Sequence, residues 1–339
     1  MPLLSVILPV YNGEIFVSRA INSVLEQDFS DWELIIIDDG SSDHTSQICT
    51  DFCLKDKRIQ YYYQKNRGLS AARNAGFRHA SGKFIAYLDA DDYVEFNYYR
   101  ELISSAENSG ADFVVAGFFR DFIYPNKQLK QVQVSLKEIF CTRDNLAIYN
   151  SSIDFYNLYI HVWNKLYRYD FLMSHQIFFN EKLQFGEDVP YNISNLQHAK
   201  TVQFLPMVGY HYICHPCERL TSKWDISLMK YNINIYEQIV NFEQQYLKSN
   251  NHEIASGMYL RGCFLSIEKA LNAGITYRAI CPVIKQILES DTTYCSIKNL
   301  KGNKREEFKI YKIILQAQCP FIFYMAVIAR KYLKKLLGR

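Results

Sequence analysis

The stretch FIAYLDADDY, from Phe84 to Tyr93, is an apolar, strand-forming run whose second half carries three aspartates. Side chains alternate across a strand, so Asp89 and Asp91 are expected on the same side of the chain. At about 6 Å and an effective dielectric constant near 20, two such charges repel each other by roughly 3 kcal/mol. The stretch therefore predicts either a cation that offsets the repulsion or a solvated turn in which water screens it.

Similar apolar runs alternate with helical segments through the first third of the chain. The runs rich in Val and Ile are expected to be strands buried on both faces, and they cover residues 3–12, 32–41, 83–92 and 111–118. Apolar or small residues recur at helical spacing over residues 14–27, 43–56, 70–82 and 97–110. Strands that alternate with helices favour right-handed crossovers, so we predict an α/β fold with a mainly parallel sheet flanked by helices.

A second strand of this series also ends in acidic residues. Asp38 and Asp39 follow the apolar run LIII, as Asp89 and Asp91 follow FIAYL. In open α/β sheets, ligands bind in the crevice outside the carboxyl ends of the strands. Two acidic strand ends on one edge are hard to explain as independent solvated turns, so the pattern favours a ligand site there.

Composition and charge exclude several classes of protein. The 339 residues are 49% apolar with a formal net charge of +3, which indicates a folded chain, and the dispersed basic residues predict no nucleic-acid partner. Nine cysteines form no regular framework and no signal peptide precedes the first strand, so a reducing cytosol is the simpler setting. Cys214 and Cys217, near His211 and His215, suggest zinc superficially, but no second CxxC completes a site, and buried thiols are the alternative.

The last third of the chain is expected to be helical. We place a first domain at residues 1–222 and a helical region at residues 223–339. The final segment, residues 319–339, has an apolar stretch followed by several basic residues, and this stretch is too short to span a bilayer. It is either an interfacial helix with a basic flank or an ordinary terminal helix docked on the core.

The acidic strand ends suit a nucleoside diphosphate held by a divalent cation. Mg²⁺ and Mn²⁺ prefer oxygen ligands, so Asp91, assisted by Asp89, would suffice together with phosphate oxygens. Tyr11 follows the first strand and could stack on a base, while Asp39 could accept a ring N–H. In the loop KNRGLSAARN, Gly68 permits a tight turn, Ser70 is a plausible helix N-cap, and Arg73 binds the ligand or forms a structural ion pair.

Six motifs in this order resemble the motif series of the family 2 glycosyltransferases. They are SVILPVYNG, LIIIDDGSSD, KNRGLSAARNAG, FIAYLDADD, WNKLY and GEDVPYN, and they extend over about 190 residues. The resemblance implies a nucleotide-sugar-dependent enzyme with the Rossmann-like GT-A fold and a C-terminal helical extension. The helical tail matches only the general habit of bacterial capsule, cell-wall and lipopolysaccharide enzymes.

The resemblance also implies roles for individual residues. The nucleotide-sugar site would comprise Pro9, Tyr11, Asp38, Asp39, Asn66, Gly68, Arg73, Asp89 and Glu187, with Glu187 near the acceptor. Asp91 would be the principal metal ligand, with Asp89 close to the metal and ribose, and the metal would be Mn²⁺ or Mg²⁺. Asp188 would be the general base, with a helix N-terminal acid as the alternative. His211 is either a further metal contact or a packed histidine.

These residues predict an inverting transfer of a sugar from a UDP-sugar to a saccharide hydroxyl. One carboxylate takes the acceptor proton, while the metal stabilises the departing diphosphate. The acceptor would be a lipid-linked intermediate in surface polysaccharide biosynthesis, at the inner face of a cytoplasmic membrane contacted through the C-terminal basic helix. A metal-dependent nucleotide-sugar hydrolase and a non-catalytic nucleotide-sugar-binding protein remain alternatives.

Overall fold

The apolar runs of the first third form strands of a ten-stranded sheet, and four parallel strands make up its first part. A computed structural model describes residues 1–123, 129–146, 160–183, 186–214, 227–300 and 306–336. The strands are β1 (Leu4–Val10), β2 (Trp32–Asp38), β3 (Ile59–Tyr63) and β4 (Phe84–Tyr87), and the helices are α1 (Val17–Leu25), α2 (Thr45–Lys55), α3 (Leu69–His79) and α4 (Tyr98–Ser109). Every residue of β1 and β2 is buried, as expected for strands covered by helices on both faces.

The second half of the sheet mixes parallel and antiparallel strands. It contains β5 (Tyr93–Val94), β6 (Phe113–Ile123), β7 (Leu129–Val134), β8 (Ile139–Thr142), β9 (Lys165–Arg168) and β10 (Thr201–Cys214), with α5 (Tyr169–Ser174) and α6 (Asp188–His198). The order is β3-β2-β1-β4-β9-β6-β10-β5, and β7 pairs with β6 and β8 with β10. The pairs within β3-β2-β1-β4 and the pair β6–β10 are parallel. The predicted α/β fold is confirmed, and its sheet is mixed beyond β4.

Strand β9 begins within the motif WNKLY, in a part of the chain for which the sequence predicted no strand. It pairs antiparallel with both β4 and β6, and so joins the two parallel halves of the sheet. A strand of four residues is too short to show the two-residue period that distinguishes a strand from a helix. The sheet partners on either side, rather than the local sequence, account for its conformation.

Helix α3 packs closely on the sheet because it has a glycine at the contact. A Cβ atom added to Gly76 would lie 2.4 Å from Cγ2 of Ile7 in β1. No real Cβ contact is that short, so a larger residue would push α3 away from the sheet. The position of every side chain on α3, including Arg73, therefore depends on this contact.

A second compact unit follows the sheet unit in the chain. The first unit is Met1–Pro216 and the second is Cys217–Arg339, and the boundary predicted at residue 222 lies outside the described residues. The second unit contains α7 (Ser227–Gln245), α8 (Glu253–Asn272), α9 (Tyr277–Leu288), α10 (Asp291–Asn299), α11 (Glu306–Gln316) and α12 (Pro320–Leu336). Phe264 of α8 stacks on Tyr311 of α11 at 4.1 Å between ring centroids and meets Phe323 of α12 at 4.6 Å. Within the described ranges, no helix is both long enough and apolar enough to cross a membrane.

Candidate active site

The carboxyl ends of β1, β2 and β4 meet at one edge of the sheet. Val10 pairs with Asp38, and the N–H of Asp39 donates to the carbonyl of Val10 at 2.8 Å. The N–H of Leu88, just after β4, donates to the carbonyl of Ile7 at 3.0 Å. The acidic residues that follow β2 and β4 therefore leave the sheet on the same edge.

Asp39 holds the loop that leads into α3. Its Oδ1 accepts hydrogen bonds from Nε2 of Gln64 at 2.7 Å and from the N–H of Arg67 at 2.9 Å, and Oδ2 accepts from the N–H of Gly68 at 2.7 Å. A carboxylate has about four acceptor positions, so roughly one remains for a ligand N–H. Gly68 has a φ of +90°, which favours glycine.

The expected N-cap of α3 is wrong. The helix begins at Leu69 with Gly68 in the cap position, which places Ser70 inside the first turn, where it is buried. Gly68 has no side chain to cap the helix, and its own N–H donates to Oδ2 of Asp39, 29 residues earlier in the chain.

Asp38 is held by neighbouring protein groups. Its side chain is fully buried, with Oδ1 accepting from the N–H of Ser41 at 2.8 Å and Oδ2 from the hydroxyl of Tyr61 at 2.7 Å. Both carboxylate oxygens thus bind protein donors, and the expected contact between Asp38 and a nucleotide stays a prediction.

Tyr11 and Asn66 lie exposed at the rim of this edge, whereas Pro9 is buried within β1. Tyr11 exposes 53% of its surface, which leaves its ring available for stacking. Asn66 lies against Gly40, which has a φ of +86°, and a Cβ added to Gly40 would come within 2.8 Å of the Asn66 nitrogen. Gly40 therefore lets the two loops approach each other.

Arg73 is a buried cation that joins three carboxylates. It exposes 1% of its surface. Its Nη1 donates to Glu187 at 2.8 Å and to Asp188 at 2.9 Å, and its Nη2 donates to Asp89 at 2.9 Å. This arrangement corresponds to the structural ion pair among the two expectations for Arg73. Its Nε is buried without a hydrogen-bond partner among the described residues.

Aromatic rings pack beside the Arg73 guanidinium. The guanidinium lies 5.2 Å from the ring centroid of Phe179, and Phe179 stacks on Tyr191 at 3.9 Å. The hydroxyls of Tyr191 and Tyr87 are 3.1 Å apart. A planar guanidinium gains from such a stack as well as from its ion pairs, so the cluster is rigidly packed.

The three aspartates after β4 have different surroundings. Asp89 binds Arg73 through Oδ1 and keeps 23% of its side chain exposed, whereas Asp91 is half-buried and its main-chain carbonyl accepts from Nη2 of Arg19 at 2.5 Å. Asp92 is fully buried and accepts from the hydroxyl of Tyr210 and the N–H of Ile213, each at 2.8 Å. Burial, followed by the charges of Asp91 and Asp89, raises the pKa of Asp92 well above its usual range.

The donor set at Asp89 and Asp91 fits a hard divalent cation that takes further ligands from substrate. Over the described ranges, no group of three or more His, Cys, Asp or Glu residues gathers to hold a metal alone. Two carboxylates are the usual protein contribution to Mg²⁺ or Mn²⁺, which keep waters or bind phosphate oxygens. The ion pair with Arg73 offsets part of the repulsion between these two acids.

Asp188 and Glu187 lie at the start of α6. Burial raises the pKa of Asp188 to about 8, while the charge of Arg73 opposes the shift. Lys165 of β9 is also buried, with Nζ donating to the main-chain carbonyl of His161 and to Oδ1 of Asn164 at 3.1 Å. Burial lowers its pKa to about 7, and the charge of Asp188 opposes the shift. Lys165 is thus a site residue that the sequence did not reveal, although its place within the motif WNKLY was a visible signal.

His211 is packed within the sheet. Its ring is stacked between Tyr93 at 4.1 Å and Phe119 at 4.8 Å, its Nδ1 lies 2.8 Å from Oδ2 of Asp121, and its Nε2 lies 3.4 Å from Glu95. This arrangement corresponds to the packed histidine among the two expectations. Cys214 is half-buried at the end of β10, and His215 and Cys217 lie outside the described residues.

Comparisons with known proteins agree with this geometry. Residues 5–173 match the family model described as Glycosyl transferase family 2. The chain is 33% identical over 222 residues to the uncharacterized glycosyltransferase EpsJ of Bacillus subtilis, covering 64% of this chain and 62% of EpsJ. It is 27% identical over 251 residues to the putative glycosyltransferase EpsH of the same organism, covering 72% of this chain and 70% of EpsH.

Solved structures share the fold. S. aureus TarS 1-349 in complex with UDP superimposes with a TM-score of 0.64 at 19% identity, covering 99% of this chain and 92% of that one. The mannosyltransferase PcManGT of Pyrobaculum calidifontis, in complex with GDP-Man and Mn²⁺, gives a TM-score of 0.51 at 12% identity, covering 96% of this chain and 87% of that one. At these identities the likeness concerns the fold, and it agrees with the predicted GT-A arrangement.

Proposed function

Since this chain belongs, through its residues 5–173, to glycosyl transferase family 2, we propose that it transfers a sugar from a nucleotide-sugar donor to a saccharide acceptor. The observation that carries the proposal is a buried cation, Arg73, that holds Asp89 and Asp188 together at the carboxyl edge of the sheet. Asp89 belongs to the proposed donor and metal segment, and Asp188 is the proposed base. Because Arg73 joins these two acids, the donor and the acceptor would bind in one cleft.

Asp39 and Tyr11 are the proposed nucleotide contacts. Asp39 is held by three donors and retains about one acceptor position, which suits the ring N–H of a uracil. The exposed ring of Tyr11 would stack on that base, and Asn66 and Gly68 would line the loop beside it. A UDP complex is known for the TarS structure, which supports UDP as the donor nucleotide of this chain.

Asp91 and Asp89 are the proposed metal ligands, with Mn²⁺ or Mg²⁺ as the ion. The mannosyltransferase with a similar fold was solved with Mn²⁺, which supports metal use here. When bound, the ion would neutralise charge that develops on the diphosphate. Arg73 orients Asp89 by donating to its Oδ1, and 23% of the Asp89 side chain stays exposed.

Asp188 is the proposed base of an inverting transfer. Arg73 binds its Oδ1 and Lys165 lies within electrostatic reach, so the carboxylate is positioned before an acceptor arrives. A carboxyl group with a pKa near 8 is matched to proton transfer at near-neutral pH. Glu187, held by the same guanidinium, would line the acceptor side.

We also propose that the acceptor is a lipid-linked saccharide of surface polysaccharide biosynthesis and that the protein works at the inner face of a cytoplasmic membrane. Support comes from the relatives that are glycosyltransferases of bacteria and from the amphipathic C-terminal helix described below. The sugar and the linkage are separate questions that a donor panel addresses.

The transfer is tested by incubating the protein with a panel of radiolabelled UDP-sugars and Mn²⁺, with and without lipid-linked saccharides. Label on an acceptor supports the proposal, whereas label that appears only as free sugar supports a hydrolase, and no release supports a non-catalytic binder. Asp188→Asn should abolish turnover while UDP affinity by calorimetry stays within about twofold. The matched control is Asp170→Asn, another acid in the first turn of a helix, which is 76% exposed and should leave turnover unchanged.

A further inference from the structure

The last helix, α12, packs on the core with one face and exposes an apolar second face. Phe323 and Val327 are fully buried, and Phe323 contacts Phe264. The exposed side chains are Phe321 (55%), Ile322 (47%), Met325 (44%), Tyr332 (63%) and Leu333 (57%). At 3.6 residues per turn they fall within an arc of about 120°. The two alternatives for this helix, docked or interfacial, are therefore compatible with each other.

A basic pocket adjoins this helix. An open pocket of about 430 Å³ is lined by Tyr277, Arg278, Cys281, Pro282 and Lys285, all on α9. The ring of Tyr277 contacts Phe321 at 5.7 Å and Tyr324 at 4.9 Å between centroids, so the pocket borders α12. Arg278 and Lys285 are both exposed, and none of the five lining residues is acidic. Such a pocket suits an anionic head group.

We propose that α9 and α12 form a docking face for an anionic lipid bilayer, in which Arg278 and Lys285 bind lipid phosphates while Phe321, Ile322 and Met325 enter the boundary between head groups and acyl chains. Interfacial helices combine these two features, an apolar face and flanking cations. This docking face is independent of the sugar-transfer proposal.

A second copy of the chain is a poorer occupant of this face. A two-fold interface places the same patch on both sides, so the basic groups of one copy would meet those of the other. Like charges in an interface oppose association. A bilayer rich in phosphatidylglycerol supplies the opposite charge and an apolar layer at once, which matches both halves of the face.

The test is co-sedimentation of the full chain with vesicles of phosphatidylcholine, with and without phosphatidylglycerol. We expect binding to the anionic vesicles that weakens as salt is raised. The variant Phe321→Ser/Met325→Ser should lose at least about tenfold in partitioning. Arg278→Ala/Lys285→Ala should lose about fivefold for each charge on anionic vesicles and little on neutral ones. Because these side chains are exposed, the midpoint temperature of thermal unfolding should be the same for both variants as for the unmodified protein.

Controls separate lipid binding from general stickiness and from self-association. Tyr294→Ser removes a side chain that is 70% exposed on α10, and Leu54→Ser one that is 82% exposed in the sheet unit, and neither should change vesicle binding. Failure of the unmodified chain to sediment with anionic vesicles, or equal sedimentation of the Phe321→Ser/Met325→Ser variant, overturns the proposal. A lower oligomeric state of that variant in sedimentation velocity, with vesicle binding unchanged, also overturns it in favour of a second copy. Release of labelled sugar from the donor is measured in parallel and should be unaffected by all variants, so this proposal and the transferase proposal can fail separately.

Discussion

Replacing Arg73 with methionine should destabilise the sheet unit strongly. The substitution keeps most of the side-chain volume but leaves Asp89, Glu187 and Asp188 without their shared cation. Removing one partner of a buried charge network costs about 3–5 kcal/mol, because the remaining charges are desolvated and uncompensated. We therefore expect a decrease of about 3–5 kcal/mol in the free energy of unfolding at pH 8, measured by urea denaturation followed by far-ultraviolet circular dichroism.

The loss should depend on pH in a defined direction. Without the guanidinium, nothing from Arg73 opposes the effect of burial on the pKa of Asp188, so this carboxyl group favours its neutral form more strongly and the folded state binds more protons than the unfolded state. The free energy of unfolding of Arg73→Met should then increase relative to the unmodified protein as the pH falls from 8 towards 5. The control is Arg58→Met, since Arg58 is 37% exposed and pairs with Asp56 at the surface, where a loss below about 1 kcal/mol is expected. If Arg73→Met loses no more than Arg58→Met, the guanidinium does not hold the three acids together.

Three further predictions concern turnover, nucleotide binding and packing. Turnover should increase with pH through an apparent pKa near 8 and then level off, because the raised pKa of Asp188 keeps the proposed base protonated below that value. A pH profile of turnover that is flat from pH 6 to 9 would contradict the assignment of Asp188 as the base. Tyr11→Ala should weaken UDP binding in calorimetry by about fivefold to a hundredfold, since base stacking contributes roughly 1–3 kcal/mol, whereas Tyr63→Ala, which removes a ring that is 63% exposed, should have little effect. Gly76→Ala should lower the free energy of unfolding by about 1–3 kcal/mol, because its Cβ would meet Ile7 of β1, while Ala75→Ser at the next, half-buried position should stay within about 0.5 kcal/mol.

The strand ends could be predicted from the sequence because their signal is local. An apolar run that ends in Asp38 and Asp39, and another that ends in Asp89 and Asp91, each show where a buried strand stops and a polar edge begins. Parallel pairing then puts both ends on the same side without further information. The α/β class and the acidic edge follow from these few residues.

The pairing of Arg73 with Glu187 and Asp188 could not be predicted, because it depends on contacts between distant parts of the chain. Arg73 is separated from Glu187 and Asp188 by 114 and 115 residues, and no local pattern indicates which acids enclose a given cation. The same is true of Asp38, whose second oxygen accepts from Tyr61 of the neighbouring strand, and of the Gly68 N–H, which donates to Asp39. Strand β9 and its buried Lys165 were missed because four residues are too few to show a period.

The span of the Arg73 cluster also bears on how the protein is made. A ribosome that adds about 5–20 residues per second needs roughly 6–23 s to travel from residue 73 to residue 188. During that interval β1, β2, α3 and β4 can already assemble, but the nascent chain carries a guanidinium with only one of its three acids available. Translation of Glu187 and Asp188 therefore provides the late contacts that close the cleft, and a stall before that point should leave an amino-terminal intermediate that is sensitive to proteases.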